Sequence, residues 1–358
     1  MKIKEIKSFS KNLTLIKPYT IAYKTFSKIE NVFLLIILEN GTIGIGSANP
    51  DFEVVGESPT HTLNNCLTEF CQSFVGRDIR NFRSMIHEIH AYFPNKPGTQ
   101  AIWDIALHDA FAKHIEIPVV GLYGQHIKSL PTSVTIGIKD VEDTVKEAAE
   151  YKKLGFKVLK IKTGQSVDID IERIKKLHEK YSNFTIRVDA NQGYDLYDLL
   201  KFVKATKNCN LELIEQPLPV GKEMELIKIG KEVTDILVAD ESLKNSSSAL
   251  KFTASPLLFG NFNIKLMKCG GLLGAFEIAT IAKAAGINLF WGCNDESIVG
   301  ITAALHAAFA CKNTKYIDLD GSFDLVEETV HGGFILEEGM LKISNKNGFG
   351  VELSKAAL

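Results

Sequence analysis

The chain has 358 residues, 45% of them hydrophobic and 23% charged, with a formal net charge of −2. That length takes one large barrel or two domains and leaves ample apolar material for a core, while a near-neutral balance supplies no field for gathering nucleic acid or an anionic membrane. Cys66, Cys71, Cys209, Cys269, Cys293 and Cys311 are scattered without a C-x-x-C pair, the opening MKIKEIKSFS carries no apolar leader core, and no run of about 18 apolar residues occurs. Reduced thiols in a cytoplasmic protein that binds neither nucleic acid nor membrane are therefore expected.

In chain order, residues 2–10 and 30–48 read as strands, the second stretch turning at Glu39-Asn40-Gly41. Ser58-Pro59-Thr60 opens a helical stretch to about residue 74, and helical patterns follow near 81–92 and 98–115. Strands followed by a block of helices indicate an α+β domain, assigned to residues 1–125. From about residue 130 strands and helices alternate: VTIGI, a helix over 143–154, KVLKIK, a helix near 168–182, FTIRVD, a helix near 194–206, then LELIE, continuing to about residue 318. This rhythm requires parallel strands with crossovers and defines a second domain over residues 126–320. Residues 321–358 return to Gly-rich, turn-like sequence expected to pack back on the first domain.

Several strands end in a charged residue. Lys160 and Lys162 close KVLKIK, and Asp189, Glu215, Asp240 and Lys265 follow at spacings of 26, 25 and 25 residues, with Asp318 and Asp320 further on. One βα unit has about that length, so each strand brings one polar group to the same end of the sheet. In a closed barrel those ends converge on a single mouth, whereas an open sheet would spread them out. Three carboxylates in a half-buried mouth repel one another unless a cation neutralises them. With oxygen donors and neither thiolate nor imidazole nearby, Mg²⁺ is the natural ion.

Lys160 and Lys162 point to the same face of their strand. At about 6.6 Å their ammoniums repel by roughly 2.5 kcal/mol at an effective dielectric of about 20, enough to lower one of them toward the range of a general base. Lys265 closes the sixth strand, across the mouth from the second. Two bases facing each other suit removal of a proton from one face of a carbon and its return to either.

The set K160-I-K162, D189-A-N-Q, E215-Q-P, A-D240-E-S and N-I-K265-L-M-K-C-G-G resembles the muconate-lactonizing subgroup of the enolase superfamily over nearly the whole chain. The resemblance implies an α/β fold, a modified TIM barrel (β/α)7β with an N-terminal α+β capping domain, and one Mg²⁺ per subunit held by Asp189, Glu215 and Asp240. It makes Lys162 and Lys265 the acid/base pair, with Lys160 tuning Lys162 and stabilising enolate charge, and puts Glu296 of W-G-C-N-D-E-S near the site. Asp318-Leu319-Asp320 is similar to the D-x-D of the dipeptide epimerases, where paired carboxylates hold a substrate ammonium; Thr135 joins the expected substrate contacts. In KPYTIAYKT, Lys24 stands where the Ala-Glu-specific members have an arginine. The implied activity is epimerisation at the second residue of L-Ala-Xaa dipeptides, with glutamate favoured, by a homo-oligomer whose partner is the small dipeptide substrate.

Acylamino-acid racemases, o-succinylbenzoate synthases and cycloisomerases share this machinery and stay open, as does an inactive barrel acting as a binding protein. A Schiff-base aldolase would not need three carboxylates. G44-I-G46 lacks the third glycine and βα context of a nucleotide site, and no histidine stands at a barrel strand end to make a His–Asp dyad.

Overall fold

The computed structural model describes residues 1–20 and 25–354. The chain opens on a three-stranded antiparallel sheet, Ile3–Thr20, Thr25–Leu38 and Ile43–Ala48, whose last two strands join at the turn read from Asn40-Gly41. The first strand is longer than the sequence suggested. The helical stretch from Ser58 breaks at Leu67-Thr68 into Pro59–Cys66 and Glu69–Gln72. Two helices match their predicted spans, Phe82–Tyr92 and Pro97–His114. The latter is buried along most of its length and packs on the third strand so closely that a Cβ at Gly46 would stand 2.1 Å from the Ile102 carbonyl oxygen.

Eight parallel strands follow in sequential order: Ser133–Ile136, Val158–Lys162, Thr185–Asp189, Leu211–Glu215, Leu237–Ala239, Asn261–Ile264, Asn288–Trp291 and Thr314–Ile317. A parallel bridge between Thr132 and Ile317 joins the last to the first, so the sheet closes into the expected (β/α)7β barrel. Full helices of 11 to 14 residues make the crossovers after the first three strands. After the fourth strand the crossover shrinks to two short turns, Glu223–Lys228 and Lys231–Thr234, and after the fifth to Ser246–Lys251.

The strands alternate between two cores. Leu159, Ile161, Ile186 and Val188 join the large shell between barrel and helices, while Leu213, Val238, Phe290 and Tyr316 form a separate cluster. Arg187 is 3% exposed and lies over the Phe290 and Tyr316 rings at 5.3 and 5.2 Å. It donates to the Ile317 carbonyl at 2.7 Å and to Glu212 at 2.8 Å. This satisfied cation forms a floor beneath the charged residues of the mouth.

The C-terminal residues form short strands rather than turns alone. Val330–Gly332 pairs with Val351–Leu353, and Phe334–Glu337 pairs with Met340–Ile343, which also pairs with Ser129–Pro131. Phe349 N–H and Ile45 N–H both donate to the buried Asp109 carboxylate, which Lys113 meets at 2.7 Å.

Candidate active site

Register aligns the charged residues. Lys162 pairs with Asp189, and Asp189 with Glu215; Glu215 pairs with Val238, two positions before Asp240. Lys265 follows the sixth strand directly and starts a short helix, Leu266–Cys269. The loops leaving the second and third strands pass nearly in contact: Gly164 has φ 102°, and a Cβ there would lie 2.2 Å from the Ala190 oxygen. Only glycine fits this approach, which keeps the exits of Lys162 and Asp189 side by side.

All these residues converge on one mouth. Lys160 Nζ lies 3.1 Å from Asp189, 2.7 Å from Glu215 and 2.8 Å from Asp318. Lys162 Nζ meets Asp189 at 2.7 Å, and Lys265 Nζ meets Asp240 at 2.8 Å. Asp189, Glu215 and Asp240 are 0–1% exposed. A cavity of about 550 Å³ opens here, lined among others by Lys160, Lys162, Asp240, Lys265, Asp318, Asp320 and Thr135. Across its top runs the segment from Asn49 to Pro59 of the first domain. It is tied to the barrel by reciprocal bonds, Asn49 to the Asp295 carbonyl and Asn294 to the Asn49 carbonyl, at 2.6 and 2.9 Å.

The carboxylates of the mouth dominate its electrostatics. Burial opposes charge on Lys160, yet Asp189, Asp318 and Glu215 outweigh it and raise its pKa well above the ordinary value. Lys265 is raised too, burial being overcome by Asp240 and Glu215. The local Lys160–Lys162 repulsion is therefore a minor influence on Lys160 beside carboxylates brought in from other strands. Those carboxylates respond unequally. Burial would raise Asp189, but Lys160 and Lys162 hold it at about 2. Lys265 and Lys268 likewise overcome burial and keep Asp240 well below the usual range. Glu215, pushed up by burial and then by Asp189, reaches about 8.

Among the described residues no three His, Cys, Asp or Glu side chains are drawn together as a ligand set, because the lysine ammoniums bridge the carboxylates. The residues nevertheless fit a hard cation. Three buried carboxylates from consecutive strands supply oxygen donors alone, and Glu215 Oε2 faces Lys160 without a well-formed hydrogen bond.

The D-x-D residues have separate environments. Asp318 is 4% exposed and engaged by Ser133 Oγ at 2.6 Å and by Lys160. Asp320 accepts the Thr135 N–H at 2.7 Å, and burial followed by the Asp318 charge raises it to about 7. Glu296 does not stand on the expected substrate-binding wall. It is 3% exposed, accepts the Asn294 N–H at 3.2 Å and turns its other oxygen toward Gly300, bracing the loop that holds Asn49. Burial holds it at about 8. Lys24 lies outside the described residues.

Among the cavity residues that escaped the sequence reading, Asn191, Glu241 and Lys268 stand beside the charged cluster. Lys268 donates to the Asp240 carboxylate, to the Asp240 carbonyl at 2.6 Å and to the Asn263 carbonyl at 3.1 Å. All three sit within three residues of a residue already singled out, inside the quoted motifs D-A-N, A-D-E and K-L-M-K, and that proximity was the available signal.

Comparison with known proteins accords with this geometry. Residues 3–124 match the mandelate racemase/muconate lactonizing enzyme N-terminal domain, and residues 143–357 match the enolase C-terminal domain-like family. The chain belongs to this enolase-superfamily family. It is 46% identical over 353 residues to an L-Lys-D/L-Arg epimerase of Desulforapulum autotrophicum, covering 98% of this chain and 99% of that one. An L-Ala-D/L-Glu epimerase of Clostridium acetobutylicum is 29% identical, over 98% and 99%. A dipeptide epimerase of Methylococcus capsulatus, crystallised with Mg and L-Arg-D-Lys, superposes with a TM-score of 0.96 at 43% identity, covering 98% of this chain and 99% of that one.

Proposed function

We propose that this isomerase is a Mg²⁺-dependent dipeptide epimerase that inverts the second residue and prefers dipeptides with cationic side chains. The observation that carries the chemistry is the placement of Lys162 and Lys265, at the ends of strands two and six of an eight-strand ring, on one cavity with three buried carboxylates beside them. Asp189, Glu215 and Asp240 would hold the ion. When bound, Mg²⁺ supplies positive charge against the substrate carboxylate and so favours enolate character at Cα. Lys160, whose ammonium its carboxylate neighbours keep charged, supports the same developing charge. One of Lys162 and Lys265 takes the α-proton from its face, and the other delivers a proton to the opposite face. The α-ammonium rests against Asp320, beside Asp318.

Cationic preference is supported by the outer cavity. Glu30, Asp51, Glu53 and Asp324 line it. Its Lys17 is paired with Glu150 at 2.7 Å and its Lys139 with Glu147, leaving Lys28, among the described residues, to weigh against the acids. Such a field attracts lysine or arginine side chains and disfavours glutamate. The higher identity to the L-Lys-D/L-Arg epimerase than to the L-Ala-D/L-Glu epimerase points the same way. The Ala-Glu preference drawn from Lys24 has no such support among the described residues.

A panel of L,L-dipeptides in deuterated water, followed by mass spectrometry for deuterium at the second residue, tests this. Lys- and Arg-containing dipeptides should exchange fastest. Faster turnover of L-Ala-L-Glu would remove the cationic preference, and preference for N-acylated amino acids would remove the dipeptide reading.

A further inference from the structure

Lys162 and Lys265 are held by different partners, and those partners have different consequences. Beyond its contact with Asp189, Lys162 Nζ donates to Asn191 Oδ1 at 3.2 Å. The Asn191 amide turns its Nδ2 to Glu241 Oε1 at 3.3 Å, and its backbone N–H donates to Asp189 Oδ1 at 3.0 Å. Asn191 and Gln192 are consecutive non-glycine residues in the left-handed region, at φ 42° and 70°. Such strain is retained where the surrounding contacts fix a side chain in a required place. Glu241 is 4% exposed, lines the cavity, and its Oε2 has no hydrogen-bond partner. Around Lys265, by contrast, the direct partners are Asp240 and, through it, Lys268, and Glu241 reaches it by charge rather than through a hydrogen bond.

We infer that Glu241 and Asn191 are positioning residues for Lys162: the Glu241 carboxylate fixes the flip of the Asn191 amide, and the amide oxygen aims the Lys162 ammonium into the cavity. An amide has two ends of similar shape and opposite polarity. With Glu241 accepting from Nδ2, the oxygen must face Lys162. Without that acceptor the amide can rotate and present Nδ2 to the lysine, which repels the ammonium and turns it from the substrate. Each base serves one face of Cα, and the hydrogen bonds from Glu241 through Asn191 reach only Lys162, so the pair governs proton transfer chiefly on one face; Asn191→Gly, which leaves the Glu241 charge near Lys265 in place, isolates that effect. The inference rests on the two-lysine reading above.

The test is stereospecific exchange. The L,L and L,D epimers of one Lys-Arg dipeptide are incubated separately in deuterated water with each variant, and the initial α-proton loss from each is measured. Lys162→Ala and Lys265→Ala first assign the faces. If these two variants do not suppress exchange of opposite epimers, the two-lysine reading itself fails. Once they do, Asn191→Gly, which removes the amide and suits the left-handed backbone, should slow the epimer assigned to Lys162 about 10- to 100-fold. The other epimer should stay within about threefold. Glu241→Leu should follow the same asymmetric pattern, and Glu241→Gln, which keeps an acceptor oxygen for Nδ2, should restore most of the rate. Should Glu241→Leu fail to fold, Asn191→Gly and Glu241→Gln still decide the question. Parallel loss on both faces, no loss on either, or a raised Mg²⁺ concentration for half-activation in Asn191→Gly would each overturn the inference; the last would make the residue part of the ion site.

Discussion

Lys160 Nζ and Asp318 Oδ2 lie 2.8 Å apart, joining the second barrel strand to the end of the eighth across the first. The contact divides the work of the D-x-D pair. Asp318 is engaged with a lysine and with Ser133, whereas Asp320 is bonded to a backbone N–H and faces the cavity.

Asp318→Asn and Asp320→Asn should therefore fail differently. The first loosens Lys160 and should lower kcat. The second removes the charge opposite the substrate ammonium and should mainly raise KM, lowering kcat/KM by about 30- to 1000-fold, the equivalent of ~2–4 kcal/mol. Steady-state kinetics separate the two, and identical kcat and KM changes in both variants would contradict the division.

Asp320 also sets a pH dependence. Its carboxyl is raised to about 7, and only the ionised form attracts an ammonium. Below that value the group is protonated and binding weakens; above it binding is complete until the dipeptide amine loses its proton near ~8. KM should fall between pH 6 and pH 7.5, and Asp320→Asn should flatten that slope. A wild-type KM constant over this interval would count against the assignment.

Ion removal gives a separate check. After EDTA treatment, exchange should cease and return on addition of Mg²⁺, with one ion bound per chain by equilibrium dialysis. Full turnover after stripping would contradict a role for Asp189, Glu215 and Asp240 as ligands.

Much of this was legible because the barrel repeats. Asp189, Glu215, Asp240 and Lys265 recur at nearly one βα length, and a closed ring turns that period into a shared position. The hairpin at Asn40-Gly41 and the helices over Phe82–Tyr92 and Pro97–His114 follow from local turn chemistry and periodicity. What needed the structure was charge arriving from distant strands. The Lys160–Lys162 repulsion is visible in three letters of sequence, but Asp318 is 158 residues away and its contact with Lys160 is invisible there. Glu296, put near the site by the resemblance, turns inward to brace a loop, and nothing in its motif tells that orientation from one facing the cavity.

Asp109 is fully buried and meets Lys113, Ile45 N–H and Phe349 N–H, linking the first domain to the C-terminal segment. Asp109→Ala leaves two N–H groups unmet and takes the counter-charge from Lys113, whose ammonium keeps only the Ile43 and Val351 carbonyls, which should cost ~3–5 kcal/mol. Urea unfolding should show this as a lower midpoint, and a change under about 0.5 kcal/mol would mean that the junction contributes little.

The central claim is that Lys162 and Lys265 act on opposite faces of one carbon, and the most direct measurement is α-proton exchange of each pure epimer in deuterated water by the two alanine variants. Neither variant should interconvert the epimers, and each should exchange one epimer while leaving the other intact, with opposite choices. Epimerisation persisting in either variant, or both variants exchanging the same epimer, would contradict the account.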